Sequence, residues 1–166
     1  DRLELNISCP NTSSSREEYQ RQLDSMLGVV ERRKRPDQAI DIKVSPDLEV
    51  GDVEQILEVA ANHDVTGFTT TNTTTNHDPK FIPKSPGKGG ASGNAVYHDS
   101  LRVQRLFADK IARAGRNYRI IACGGINSPA RVQKRLRYGA SEIQIFTPFI
   151  FKGPGLLRML KTAEYI

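Results

Sequence analysis

Asn6-Ile7-Ser8-Cys9-Pro10-Asn11-Thr12 sets a thiol between two carboxamides, just where the alternating segment Leu3-Glu4-Leu5-Asn6-Ile7 ends. A cysteine has a reference pKa of about 8.5, low enough to be tuned into a base or nucleophile near neutral pH. Flanking amides hold a small polar ligand without adding charge. The same residues also suit a buried cysteine in a turn broken by Pro10, because free cysteines commonly serve as packing. Lys43 poses a similar choice. It lies within Ile40–Ser45, on the opposite face to Ile42 and Val44. A lysine there is costly unless it is paired or functional. An ion pair satisfies it, and so does an electron-rich cofactor ring.

Two glycine-rich stretches could receive an anion. Gly124-Gly125 follows the apolar segment Ile120–Cys123, and Gly89-Gly90-Ala91-Ser92-Gly93 closes a Pro- and Lys-rich loop. Glycines let backbone N–H groups approach phosphate oxygens closely. A tight turn explains the first equally well, and a linker explains the second. Thr71-Asn72-Thr73-Thr74 ends a β-branched segment and reads either as a polar turn or as a set of ligand contacts.

The elements that must position these residues alternate. Strands are expected at Leu3–Ser8, Ile40–Ser45, Gly67–Thr71, Ile120–Cys123 and Glu142–Phe146. Between them, apolar stripes of helical period run through Arg16–Arg35, through Val53, Ile56, Leu57 and Ala60, and through Val103, Leu106, Phe107 and Ile111. Ser128 caps a further helix with Pro129 at its first position and Gly139 just past its end. Gly153-Pro154 opens a last one bearing Leu156, Leu157 and Leu160. Strand–helix alternation predicts a parallel α/β sheet. A closed (β/α)₈ barrel takes about 250 residues, so five units make either part of a barrel or an open doubly wound sheet. In such barrels a phosphate often binds after strands seven and eight. Gly124-Gly125 and Phe146-Thr147 would fill those places if the first visible strand were the fourth.

Composition narrows the function classes. The 166 residues carry a formal net charge of +5, with basic clusters at 32–35, at Lys80, Lys84 and Lys88, and at Arg131, Lys134, Arg135 and Arg137. The first and third clusters fall on helical segments and read as solvated faces. No aromatics interleave with them, which argues against nucleic acid; an anionic small molecule fits the charge. Mean hydropathy is −0.48, polar for a self-contained α/β domain. No apolar run approaches the roughly 20 residues of a membrane span. Two cysteines make no disulfide framework, which favours a reducing compartment. The three histidines show no ligand spacing, so no metal site is expected. The chain begins with Asp1 and is expected to be a fragment.

Taken together, these pieces resemble one family. Asn6–Thr12, Lys43-Val44-Ser45-Pro46-Asp47-Leu48, Thr71–Thr74, Gly89–Gly93, Cys123-Gly124-Gly125-Ile126, Gln144-Ile145-Phe146-Thr147 and Phe149–Pro154 occur in order and at suitable spacing. The whole chain resembles the C-terminal part of dihydroorotate dehydrogenase, an FMN-dependent (β/α)₈ barrel of pyrimidine biosynthesis. The resemblance implies that residues 1–166 are about five C-terminal β/α units of one barrel whose N-terminal strands are absent. It implies oxidation of dihydroorotate to orotate, a base taking the C5 proton while the C6 hydrogen passes as hydride to flavin N5. By position, Cys9 would be the base. Asn6, Asn11, Asn72 and Thr73 would hold the substrate. Lys43 would sit against the flavin, with Asn6 and Thr71 near it. Ser92, Gly93, Gly124, Gly125, Phe146 and Thr147 would hold the ribityl chain and phosphate.

The sequence is a mosaic of the family's classes. Lys43, Thr71–Thr74 and Phe149–Pro154 resemble the quinone-linked class 2 enzymes, which carry serine as base. Cys9 and the Glu4–Ser8 run before it resemble the soluble class 1 enzymes, linked to fumarate or NAD. Ser13-Ser14-Ser15-Arg16 departs from the usual class 2 Gly-Leu-Arg pattern, and Ala91 and Ala95 stand where Leu and Pro are common. The favoured expectation is a quinone-linked enzyme, peripheral on the inner membrane through a region outside this chain. A class 1 enzyme would be cytoplasmic. A related flavin barrel, or a non-catalytic fragment that binds phosphate or pairs with a complementary half-barrel, remains open. The family's early strands supply further flavin contacts, so the isolated chain is expected to bind FMN and turn over poorly.

Overall fold

The computed structural model describes residues 1–7, 15–77, 79–81 and 89–162. Five strands, β1 (Arg2–Asn6), β2 (Ala39–Val44), β3 (Val65–Thr70), β4 (Arg119–Cys123) and β5 (Glu142–Gln144), form one sheet in the order of the chain. Every neighbouring pair is parallel. Helices return the chain between strands: α1 (Arg16–Arg33), α2 (Val50–Ala60), α3 (Tyr97–Arg113) and α4 (Pro129–Arg137). Two short helices, α5 (Thr147–Lys152) and α6 (Gly155–Lys161), follow β5.

Strand alternation explains why the two sheet faces differ. Ile40, Ile42 and Val44 of β2, Phe68 of β3, and Ile120 and Ala122 of β4 belong to the hydrophobic core with Leu23, Leu27, Val53, Ile56, Val103 and Phe107 of the helices. Phe68 anchors it, its ring 4.8 Å from Phe107 and edge-on to Tyr118 at 5.2 Å. Most of the intervening strand residues are polar, namely Glu4, Asn6, Asp41, Lys43, Thr69, Arg119, Glu142 and Gln144, with Ile121 of β4 an apolar exception. Arg119 bonds Asp41 at 3.0 Å and Glu142 at 3.5 Å. Arg2 on β1 bonds Glu142 on β5 at 2.6 Å. Strands lie about 4.8 Å apart, so a flat sheet would part its first and fifth strands by about 19 Å. The sheet is therefore curled until residues of its two edge strands touch across the polar face.

Local signals set most helix ends. Ser15 caps α1 by accepting from the Glu18 N–H at 3.2 Å, and Glu17 and Glu18 versus Arg32 and Arg33 complement its dipole. Glu49 and Asp52 form a reciprocal capping box on α2. Ser128 and Pro129 start α4 as their types predict.

Two expectations need correction. β5 ends at Gln144 rather than Phe146, because α5 begins at Thr147 with Pro148 tolerated in its first turn. The last helix does open after Gly153-Pro154, as α6, and Gly153, with a positive φ of 64°, separates it from the unexpected α5. The basic cluster on α4 is not uniformly solvated, since Arg135 is fully buried. A 3₁₀ turn, Gly93–Val96, also follows the glycine-rich loop, where no element was expected.

His63 ties the α2–β3 turn to α1, its ring nitrogens 2.9 Å from Glu31 and 3.0 Å from Asp24. Burial opposes its charging, but the two carboxylates outweigh that and raise its pKa. A raised pKa contributes stability that is fully present below the unfolded value of about 6.5 and lost as pH rises through the folded value. The wild-type advantage over His63→Gln in urea midpoint is therefore expected to be present at pH 6 and to shrink by pH 9. A pH-independent difference would contradict this ion-pair account.

Candidate active site

The polar strand residues climb toward the carboxyl ends of the strands, where a cleft of about 550 Å³, open mouth included, is lined from β2 through α5. Lys43, Thr71, Asn72, Thr73, Ser92, Gly93, Gly124, Gly125, Phe146 and Thr147 all line it. Asn6 is joined to it by a 2.7 Å hydrogen bond from Asn72 Nδ2 to its Oδ1. Cys9 and Asn11 lie outside the described residues.

Lys43 occupies the floor. Its Nζ donates to Gln144 Oε1 at 2.7 Å and to Glu4 Oε1 at 3.1 Å. Gln144 Nε2 and Thr69 Oγ1 donate to the other oxygen of Glu4, at 3.2 and 2.6 Å. Burial alone would raise the Glu4 pKa, but the bonds from Thr69 and Lys43 and the lysine's charge hold it below its ordinary value. The lysine's cost inside the sheet is thus offset by an ion pair, and its ammonium is fixed in place beneath the cleft.

Backbone pairing carries the strand-end polar run into the cleft. The Thr71 N–H donates to Cys123 O at 2.7 Å and the Asn72 N–H to Val44 O at 2.8 Å, which extends β3 between its neighbours. Asn72 Oδ1 then accepts from the Thr73 N–H at 2.9 Å. Thr74 and Ala91 exchange two backbone bonds, at 2.8 and 3.0 Å, and so bring the Ser92-Gly93 loop alongside. Asp47 braces this arrangement by accepting from the Thr74 hydroxyl and, at 2.9 Å, from the Thr75 N–H.

The glycines shape the far wall. Gly124 and Gly125 have φ of 115° and 66°, a conformation that L side chains rarely adopt. A Cβ on Gly125 would come within 2.6 Å of Gly93 O and 2.7 Å of Tyr97 Cβ, so the two glycine loops make one continuous surface. Thr147 Oγ1 donates to Ser92 Oγ at 2.9 Å and closes that surface from α5. Successive backbone N–H groups in a turn form a concave nest of the kind that receives anions, and Gly124-Gly125 is such a turn after β4. This backbone and its hydroxyls fit a phosphate-bearing ligand. Phe146 lines the same wall but is 73% exposed.

A family model for dihydroorotate dehydrogenase matches residues 1–163. The chain belongs to the dihydroorotate dehydrogenase family. Dihydroorotate dehydrogenase (quinone) from Rhodopseudomonas palustris strain BisB5 is 32% identical over 167 residues, covering 95% of this chain and 45% of that protein. The corresponding protein of Aeromonas salmonicida is 31% identical, covering 96% and 49%. Among solved structures, dihydroorotate dehydrogenase of Eimeria tenella in complex with ferulenol superposes with a TM-score of 0.75 at 26% identity, over 99% of this chain and 49% of that one. Its ligand-free form gives a TM-score of 0.77 at 25% identity. The chain thus spans about half the length of the relatives it matches, and its curled parallel sheet is part of a (β/α)₈ barrel.

Sequence reasoning missed several residues of this family member's cleft. Glu4 and Gln144 fix Lys43; their inward parity within alternating strands was the available signal. Cys123 also lines the cleft. Burial pushes its thiol pKa up, only partly opposed by Lys43, so it stays protonated at neutral pH and is a poor base. Carbon-detected titration of the Glu4 carboxyl is expected to report a depressed pKa that moves upward in Lys43→Met, where burial is less opposed. A titration unmoved by Lys43→Met would contradict the ion-pair geometry.

Proposed function

We propose that residues 1–166 are the C-terminal portion of a single FMN-binding barrel that oxidises dihydroorotate to orotate in pyrimidine synthesis, with quinone as the final acceptor. One observation carries this reading: a single cleft at the carboxyl ends of the strands collects Lys43, Asn72, Thr73 and the Gly124-Gly125 nest. Carboxyl ends are where barrels place their chemistry. The names of the curated relatives support quinone over fumarate or NAD. A quinone acceptor in turn favours peripheral attachment to the inner membrane; no described helix is long and apolar enough to cross one.

Each residue then has a definable task. Asn6 and Asn72, already hydrogen-bonded to each other, offer amide donors and acceptors to the pyrimidine edge and carboxylate, with Asn11 and Thr73. Cys9 takes the C5 proton onto sulfur. The C6 hydrogen leaves with its electron pair, and the C5–C6 double bond of orotate forms. FMN, when bound, supplies the acceptor for that hydrogen and its two electrons. Lys43 holds a fixed positive charge beneath the ring, where negative charge develops, at no cost of reorganisation during the reaction. Thr71 lines the ring side. Ser92, Gly93, Gly124, Gly125, Phe146 and Thr147 hold the ribityl phosphate.

Cys9 is the sharpest test of this assignment, because class 2 relatives are expected to use serine there. The chain, expressed with any contiguous coding sequence, should show bleaching of flavin absorbance when dihydroorotate is added without oxygen. General-base catalysis contributes about 10²–10⁴-fold, so Cys9→Ala should slow that bleaching by about the same factor. Unchanged bleaching in Cys9→Ala rules out the base, and no bleaching in the wild type rules out the activity. Reoxidation faster with quinone than with fumarate or NAD is the expected order.

A further inference from the structure

Arg135 is the most deeply buried ionisable side chain of the described residues, and the proposed chemistry does not use it. It lies on α4 with no solvent exposure. No carboxylate pairs with it among the described residues. Its Nη2 donates to Gly124 O at 2.8 Å, to Tyr97 O at 3.5 Å and to the Ser100 hydroxyl; its Nη1 donates to Gln104 Oε1 at 3.0 Å. Its Nε meets no protein acceptor. Burial lowers its pKa to about 10, which still leaves it a cation at neutral pH. A buried, uncompensated cation is strongly unfavourable unless something of opposite charge completes the site.

A second arginine repeats the pattern one turn earlier. Arg131 lies with its guanidinium 3.9 Å from the Tyr97 ring centroid and donates to Asn94 Oδ1 at 2.6 Å and to Gly125 O. The two arginines therefore hold two successive carbonyls, those of Gly124 and Gly125. In a trans peptide the carbonyl and the next N–H point to opposite sides. Drawing both carbonyls toward α4 turns the Gly125 and Ile126 N–H groups the other way. Gly124, Gly125 and Ile126 all line the cleft, and neither N–H donates to a protein acceptor among the described residues.

We propose that Arg135 and Arg131 are positioning residues for a phosphate monoester: they lock the Gly124-Gly125 nest with its N–H groups facing the cleft, and Arg135 adds a buried positive charge behind it. This rests on the flavin mononucleotide reading above and assigns the phosphate's recognition to the base of α4 rather than to the glycines alone. A merely structural pair of arginines would support every flavin equally. The proposed pair discriminates the phosphorylated form.

The test compares FMN with riboflavin, which lacks the phosphate, by quenching of flavin fluorescence on the chain with any contiguous coding sequence. Wild type should prefer FMN. Arg135→Met should weaken FMN binding by about tenfold or more, as expected for lost charge-assisted hydrogen bonds, and leave riboflavin binding within about twofold. Arg131→Met should weaken FMN selectively but less. An unchanged preference in a folded Arg135→Met protein overturns the proposal. Should Arg135→Met fail to fold by circular dichroism, an unchanged preference in Arg131→Met overturns it, and a selective loss there sustains it. No FMN binding by wild type overturns the proposed function together with this inference.

Discussion

A charged side chain inside a parallel sheet must find partners, and that constraint organises this molecule. Parallel sheets are normally covered on both faces by apolar residues. Here one face is apolar and covered by helices, while the other carries Glu4, Asp41, Lys43, Arg119, Glu142 and Gln144. These groups satisfy one another in two tiers. Arg2, Asp41, Arg119 and Glu142 pair near the amino ends of the strands. Glu4, Lys43, Thr69 and Gln144 pair nearer the carboxyl ends. Contacts between β1 and β5 exist only because the sheet curls, so curvature and charge pairing require each other.

The upper tier places a fixed ammonium below a cleft whose walls are backbone. Thr71 and Asn72 enter it by extending β3 between β2 and β4, and the Ser92-Gly93 loop enters through the Thr74–Ala91 bridge. Close approach of Gly125 to Gly93 joins the two glycine loops. A ligand with an electron-rich ring and a phosphate tail suits a site with a cation at one end and an N–H nest at the other. The buried guanidinium of Arg135 lies behind that nest and holds the Gly124 carbonyl, while Arg131 holds that of Gly125.

Much of this was legible in the sequence because it depends on local rules. Period-two alternation showed that Lys43 opposes Ile42 and Val44, and the structure gives it the polar face. Ser128-Pro129 and Gly139 bracketed α4 by capping chemistry alone. What was not legible depends on distance in space. Glu4 and Gln144 lie 140 residues apart, and nothing local shows that a curled sheet joins them. Arg135 sits among exposed basic residues in the sequence, and only the packing of α3 against β4 and α4 reveals its burial. α5 was hidden because Phe146-Thr147-Pro148 reads as a strand running into a turn.

The central claim is that one cleft binds the flavin ring and phosphate beside a dihydroorotate site. A crystal structure of the chain, with any contiguous coding sequence, bound to FMN and orotate tests it most directly. The account predicts phosphate oxygens on the Gly125 and Ile126 N–H groups, the flavin ring against Lys43, and orotate bonded to Asn6 and Asn72. A phosphate bound away from the Gly124-Gly125 turn, or an orotate bound away from Asn72, would contradict it.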